Sequence, residues 1–298
     1  MRNQFTLLLA SSCLLMTTLM GACGSSGQSS DATSSDTLSQ QTPTMQLELA
    51  WKTDTVLTGS ESALFDTARN RIYVTCGNSA PSAKDGDGFI ALLNPNGDIE
   101  DLQWVTGMDA PKGMAQINDM LYVSDVDQIR VINLETARIE RTIPVPGAEF
   151  LNDVCTDGTQ IFISDSRTHK VYAMQADGQA EVILENSPGV NGLESAYGKL
   201  YTLDLRGMNT YNIPEFSNLM SDTTVKGGDG LVVLNDSTFV ISVWAGEIYG
   251  VSGQERFPLL DTKADESNTA DIGWVPGSNL ILVPTFMKNE LAAYTLSW

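Results

Sequence analysis

From residue 61 onward the apolar positions fall into short runs, each broken by Gly, Asn, Asp or Ser. Such runs suit strands joined by turns, and the three-to-four spacing of an amphipathic helix is nearly absent. The runs also repeat. Six stretches share one order: a polar residue, often a glycine, an apolar pair, a turn, and a second apolar run. They begin at Glu61 (ESALFDTARNRIYV), Lys112 (KGMAQINDMLYVSD), Asn152 (NDVCTDGTQIFISD), Asn191 (NGLESAYGKLYTLD), Asp229 (DGLVVLNDSTFVIS) and Asp271 (DIGWVPGSNLILVP). The second run of each contains Tyr73, Tyr122, Phe162, Tyr201, Phe239 or Ile281. A third run follows in IRVINL, KVYAM, GEIYGV and LAAYTL, and a fourth in ARIERTIPV, AEVILEN and ERFPLLD. Four short strands in a unit of about forty residues is the pattern of a propeller blade. The chain is therefore predicted to be all-β: a six-bladed β-propeller with four-stranded blades.

The last unit ends at Trp298 after three strands. A spare strand exists at the other end, in MQLELAWKTDTVL (45–57), and is predicted to pair into the sixth blade and close the ring. Closure removes exposed sheet edges. The starts of the innermost strands gather at one mouth of such a ring, so Glu61, Lys112, Asn152, Asn191, Asp229 and Asp271 are predicted to converge. A glycine after several of them lets neighbouring backbone approach closely. Singly, each polar residue reads as a turn cap; in register around a ring they form a candidate site.

The N-terminus changes the picture of where this domain resides. MRNQFTLLLASSCLLMTTLMGAC has Arg2, an apolar run from Phe5 and then small residues, the order of a secretory signal. LMGAC (19–23) resembles the bacterial lipobox, in which the cysteine, here Cys23, is lipidated; a plain signal peptide cleaved nearby is the alternative. The expected organisation is a lipoprotein signal peptide over 1–22, a flexible Ser/Thr-rich tether over 23–45 and the propeller over 46–298. That organisation implies an exported bacterial cell-envelope protein that meets the membrane only through its lipid anchor, and a closed propeller is expected to be monomeric. The formal net charge of −20 argues against a nucleic-acid partner and favours cations. Cys76 and Cys155 fall two units apart and are expected to be buried thiols rather than a disulfide.

The ring carries the chemistry. Glu61, Asn152, Asn191 and Asp229 offer hard oxygen donors, a set that suits Ca²⁺, Mg²⁺ or Mn²⁺ better than zinc. The one histidine, His169, sits in the hairpin sequence SDSRTHKVY, so a histidine-dependent nucleophilic triad is disfavoured. Asp125, Asp165 and Asp204 end second strands and read as acceptors for the hairpins that follow. DGDGFIALLNPNGDIED (85–101) lacks EF-hand spacing, and its NPNGD reads as a hairpin turn. GGDG (227–230) has no G-K-[ST] after it and gives nucleotide binding no support. Trp244 and Trp274 either border the mouth or pack between blades.

Read together, these residues resemble the gluconolactonase, senescence-marker-protein and luciferin-regenerating-enzyme family of six-bladed propellers, over about residues 59–298. ESALFD (61–66) looks like its first-blade glutamate motif and FLND (150–153) like its third-blade Phe-Asn-Asp. VNGL (190–193) is similar to its Ser-Asn-Gly-Leu and GDGL (228–231) to its Pro-Asp-Gly-Met. The resemblance implies a divalent cation, Ca²⁺ first among the candidates, held by Glu61, Asn191 and Asp229, with Asn152 contacting a small-molecule substrate. It implies hydrolysis of a lactone or related ester: the cation polarises the carbonyl, and Asp229, or Asp271, accepts a proton from water. Lys112 lines the substrate position and could hold an anionic group. The family's sugar lactonases carry an arginine where this chain has Phe150, which separates cation binding from sugar-lactone specificity. SDVDQIRV and SDSRTHKVY also look like NHL-type repeats, and this keeps a rival reading open: a non-catalytic, lipid-anchored module that recognises a protein, glycan or peptide at the propeller mouth.

Overall fold

The computed structural model describes residues 45–78, 80–175 and 178–298. The signal peptide, Cys23 and most of the tether expected from the sequence lie outside the described residues. Strand β1 (Gln46–Lys52) comes first. The first blade is β2 (Ala63–Asp66), β3 (Arg71–Cys76), β4 (Gly88–Leu93) and β5 (Ile99–Met108). The second is β6 (Pro111–Ile117), β7 (Met120–Asp125), β8 (Gln128–Asn133) and β9 (Arg138–Pro144). The third is β10 (Leu151–Thr156), β11 (Gln160–Asp165), β12 (Lys170–Gln175) and β13 (Glu181–Leu184). The fourth is β14 (Leu193–Ala196), β15 (Lys199–Asp204), β16 (Gly207–Asn212) and β17 (Asn218–Asp222). The fifth is β18 (Leu231–Asn235), β19 (Thr238–Val243), β20 (Glu247–Ser252) and β21 (Glu255–Asp261), and the chain ends with β22 (Gly273–Val275), β23 (Leu280–Pro284) and β24 (Leu291–Ser297). Each blade is a four-stranded antiparallel sheet, and β1 completes the sixth by pairing with β24, Gln46 opposite Ser297 and Lys52 opposite Ala292. Among the described residues the one helical element is a single 3-10 turn, Lys263–Asp265. The fold is a six-bladed β-propeller closed by its N-terminal strand.

The core lies between blades. Second strands read as continuous apolar runs because both their faces are covered by neighbouring blades, the same reason that buried parallel strands lose polar alternation. Tyr73, Tyr122, Phe162, Tyr201, Phe239 and Ile281 are all buried. Tyr201 and Phe239 meet across the fourth and fifth blades with ring centroids 5.5 Å apart. Outermost strands alternate or face water, as in RIERTIP of β9. Cys76 and Cys155 are free and buried, and burial pushes both thiols well up, which makes them poor nucleophiles.

The hairpin aspartates do more than the sequence implies. Asp204 accepts amides of its own hairpin, from Arg206 at 2.7 Å and Gly207 at 3.2 Å. Asp125 instead accepts the amides of Asp109 and Ala110, in the segment that enters its own blade's innermost strand. Asp165 does both, taking Glu149 and Phe150 on one side and Arg167 and Thr168 on the other. These carboxylates therefore fix the loops around the mouth. The NPNGD turn closes β4 to β5, with the Gly97 amide bonded to the Asn94 carbonyl at 3.1 Å.

Candidate metal centre

The innermost strands β2, β6, β10, β14, β18 and β22 surround the central channel, each against the next. Their starts are tied to the second strands by backbone bonds at matching positions. The Glu61 amide bonds the Thr75 carbonyl (3.0 Å), Asn191 bonds Leu203 (2.9 Å) and Asp229 bonds Ser242 (2.8 Å). Side-chain hydroxyls reinforce the belt. Thr75 accepts the Ser62 amide, Ser164 that of Asp153 and Ser242 that of Gly230. Ser124 and Ser242 reach across to the Asn152 and Ala270 carbonyls of the next blade. Gly192 answers why an Asn-Gly pair opens an inner strand: a Cβ there would lie 2.2 Å from the Asp229 carbonyl oxygen. The glycine lets two adjacent inner strands touch, and this brings Asn191 beside Asp229.

Five of the six ring residues line one mouth cavity of about 310 Å³: Glu61, Lys112, Asn152, Asn191 and Asp229. Asp271 does not. In the sixth blade it is Ala270 whose amide bonds a second-strand carbonyl, that of Pro284 at 3.1 Å, so Ala270 holds the mouth position. Asp271 sits one residue deeper, accepts the Ser62 hydroxyl at 2.5 Å, and lines a separate channel cavity with Asp153 and Glu194. Its place as an alternative base at the mouth is corrected accordingly. Of the two positions open to the tryptophans, Trp244 borders the mouth and Trp274 lines the channel cavity. His169 is exposed in its hairpin and accepts the Gly189 amide.

At the mouth, Asn191 donates its amide to Asp229 Oδ1 at 2.6 Å. What remains is unusual. Glu61 Oε2, Asn191 Oδ1 and Asp229 Oδ2 are buried with no hydrogen-bond partner. Glu61 and Asp229 are 8 % and 2 % exposed. Burial raises both carboxyls above their ordinary values; the Glu61 charge pushes Asp229 further up, while Lys112 draws Glu61 down. Asn152 is held by a bond from its amide to the Ser166 hydroxyl at 3.1 Å. The Lys112 ammonium lies 5.0 Å from the Phe150 ring centre, a cation–π contact. Three hard oxygens without partners, two of them carboxylate oxygens, are a donor set that fits a divalent cation.

Sequence reasoning assigns no role to Asp153 or Glu194. Burial, the largest cause in each, raises Asp153 to about 7 and Glu194 to about 8; the Leu193 and Val154 amides pull Asp153 back, and the Asp153 charge adds to the rise at Glu194. The neighbouring acids Glu61, Asp229 and Asp271 are raised as well, with Lys112 as the opposing charge at the mouth. Raised carboxyls hold protons in the folded chain that the unfolded chain releases near its ordinary carboxylate range, so their stabilisation is complete below that range and is lost as pH rises through the folded values. The melting temperature of chelator-treated protein is expected to fall as pH rises from about 5 through about 8, the range in which Asp153 and Glu194 lose their protons. A thermal-melt series checks this, and a flat profile would show that the channel acids are well solvated.

No protein-family model matches the chain, and no curated protein matches it. Solved structures do. The nidogen/laminin complex contains a chain similar to this one at 13% identity with a TM-score of 0.56, over 69% of this chain and 84% of that one. At this identity the likeness is one of fold, and it agrees with the propeller seen here. Glutaminyl cyclase from Myxococcus xanthus is similar at 16% identity with a TM-score of 0.47, over 63% of this chain and 90% of that one.

Proposed function

We propose that the protein is a divalent-cation-dependent hydrolase of a lactone or related ester, acting at the mouth lined by Glu61, Asn191 and Asp229. The observation that carries this reading is the trio of buried oxygens without partners. Buried polar atoms left unpaired are few in native proteins and each calls for a cause; one hard cation accounts for all three. Bound there, the cation supplies Lewis-acid polarisation of a carbonyl and charge for the oxyanion. Asn152, fixed by Ser166, orients the substrate. Lys112 offers a positive charge beside it. The Asp229 carboxylate takes one proton from water as the water oxygen bonds to the acyl carbon. It returns that proton to the departing alkoxide as the acyl–oxygen bond breaks, leaving a hydroxy acid. The same three ligand positions follow from the motif resemblance to the gluconolactonase group, which lends the reading independent support.

Calcium titrated calorimetrically into chelator-treated protein is expected to give saturable one-site binding. Heats that never saturate would sink the cation site and the hydrolase with it. One observation favours the rival binding module: Trp244 and Met287 stand exposed at the mouth, at 46% and 59%. Stable retention of a ligand with no turnover would favour that module.

A further inference from the structure

The mouth is two-sided. Its floor is polar, and its wall is Phe150, Trp244, Phe286 and Met287. Trp244 and Phe286 pack edge to face, centroids 5.8 Å apart. The wall is also built rather than incidental. Asn268, 8 % exposed, donates to the Trp244 carbonyl at 2.9 Å and accepts the Met287 amide at 3.2 Å. One buried side chain thus clamps the β19–β20 and β23–β24 loops into a single apolar surface beside the orphan oxygens. Exposed large apolar groups held rigidly over a polar site mark a place where an apolar ligand group is covered.

The floor has little to offer hydroxyl groups. Its oxygens are those of Glu61, Asn191 and Asp229, which the cation reading already uses, together with the carbonyl oxygen of Asn152, whose NH2 is engaged by Ser166 and which is left one contact to the substrate. Lys112 faces the Phe150 ring. A polyhydroxylated substrate would set most of its hydroxyls against the apolar faces of Trp244, Phe286 and Met287, which give them few partners, whereas an alkyl or aryl group there loses nothing.

Resting on the hydrolase reading above, we infer that the substrate class is a lactone or ester bearing an apolar alkyl or aryl substituent, and that the Trp244–Phe286–Met287 wall selects it. The reaction is plain hydrolysis: water adds to the acyl carbon, the acyl–oxygen bond breaks, and the alkoxide leaves with a proton to give the hydroxy acid.

The test uses calcium-loaded protein and three matched six-membered lactones: unsubstituted, alkyl-substituted and polyhydroxylated. The alkyl lactone is expected to exceed the polyhydroxylated one in kcat/KM by at least about 100-fold, in line with the discrimination that apolar pockets achieve per added group. Trp244→Ala and Met287→Gln should each lower kcat/KM for the alkyl lactone at least about tenfold more than for the unsubstituted one, chiefly through KM. Equal or greater activity on the polyhydroxylated lactone would overturn this inference and leave the hydrolase reading standing. An equal loss on both apolar lactones in the variants would overturn it too. Turnover of none of the three, with calcium still bound, would overturn the hydrolase reading and this inference together.

Discussion

Asp229→Ala is expected to abolish saturable calcium binding and hydrolysis together while leaving the chelator-treated protein folded. Asp229 contributes one of the three orphan oxygens and is the carboxylate proposed to move the proton. Outer-sphere partners alone are worth roughly 10–100-fold in metal affinity, so removing a charged ligand should cost at least about 100-fold. Stability is expected to move the other way. Asp229 is a buried acid raised by desolvation and by the charges of Glu61 and Asp153, so in the cation-free protein its ionised form repels its neighbours. Of its two counterweights, the bond from Asn191 and the charge of Lys112, the first is kept in Asp229→Asn, which presents an acceptor oxygen of the same shape without the charge. The two variants therefore separate the roles: both should lose calcium, and Asp229→Asn should melt at or above the wild-type temperature without cation. Calorimetry and thermal melts read both. Wild-type calcium affinity in either variant would remove the trio from the site.

The blade pattern was legible because it rests on two local signals that survive tertiary context: apolar runs of strand length and turn residues at fixed intervals. Tyr73, Tyr122, Phe162, Tyr201, Phe239 and Ile281 could be picked as core from the runs alone, because a strand covered on both faces needs no polar alternation. At three of the mouth positions, Lys112, Asn191 and Asp229, a following glycine marked the register. Gly192 and Gly230 follow Asn191 and Asp229, and a Cβ at either would strike the next blade's backbone at 2.2 or 2.3 Å. The sixth blade has no such marker. Its inner strand is set by the Pro284 carbonyl and the Ser242 hydroxyl acting on Ala270, so aligning by the nearest polar residue lands on Asp271, one residue too far in. Asp153 lay within a motif read for its neighbour, Asn152. A signal for it did exist: the residue after each mouth position is small in four blades, at Ser62, Gly113, Gly192 and Gly230, and acidic only at Asp153 and Asp271. The apolar wall was the least legible part. Phe286 and Met287 sit in a loop between strands, where no period constrains the sequence, and Asn268 ties that loop to the one that carries Trp244.

Deleting residues 45–52 is expected to leave a poorly folding, self-associating chain. Strand β1 is mostly solvent-facing, QLELAWK with only Leu47 and Trp51 half-buried, so its sequence alone gives it a small part in the core. Its contacts give it a larger one. It supplies the outermost ladder of the sixth blade, and its two ends reach different neighbours. Met45, buried at 7% exposure, lies against Gly250 of the fifth blade, and Trp51 packs over Gly97 of the first. Leu47 adds to the cluster between the fifth and sixth blades. The segment thus staples the closing blade to the blades on both sides. Burying a large apolar side chain is worth about 1.5–3 kcal/mol and a ladder bond about 0.5–1.5, so the loss is on the order of 5 kcal/mol or more. Whole domains are stable by roughly 5–15 kcal/mol, so this loss decides folding rather than trimming it. The deletion also bares β24, whose YTLS end would present an unpaired edge to a second chain. Size-exclusion chromatography and thermal melting should show larger species and a lost or broadened transition. A sharp monomeric transition within a few degrees of wild type would mean that the ring closes through the blade interfaces alone, and that β1 is an ornament of the sixth blade rather than its clasp.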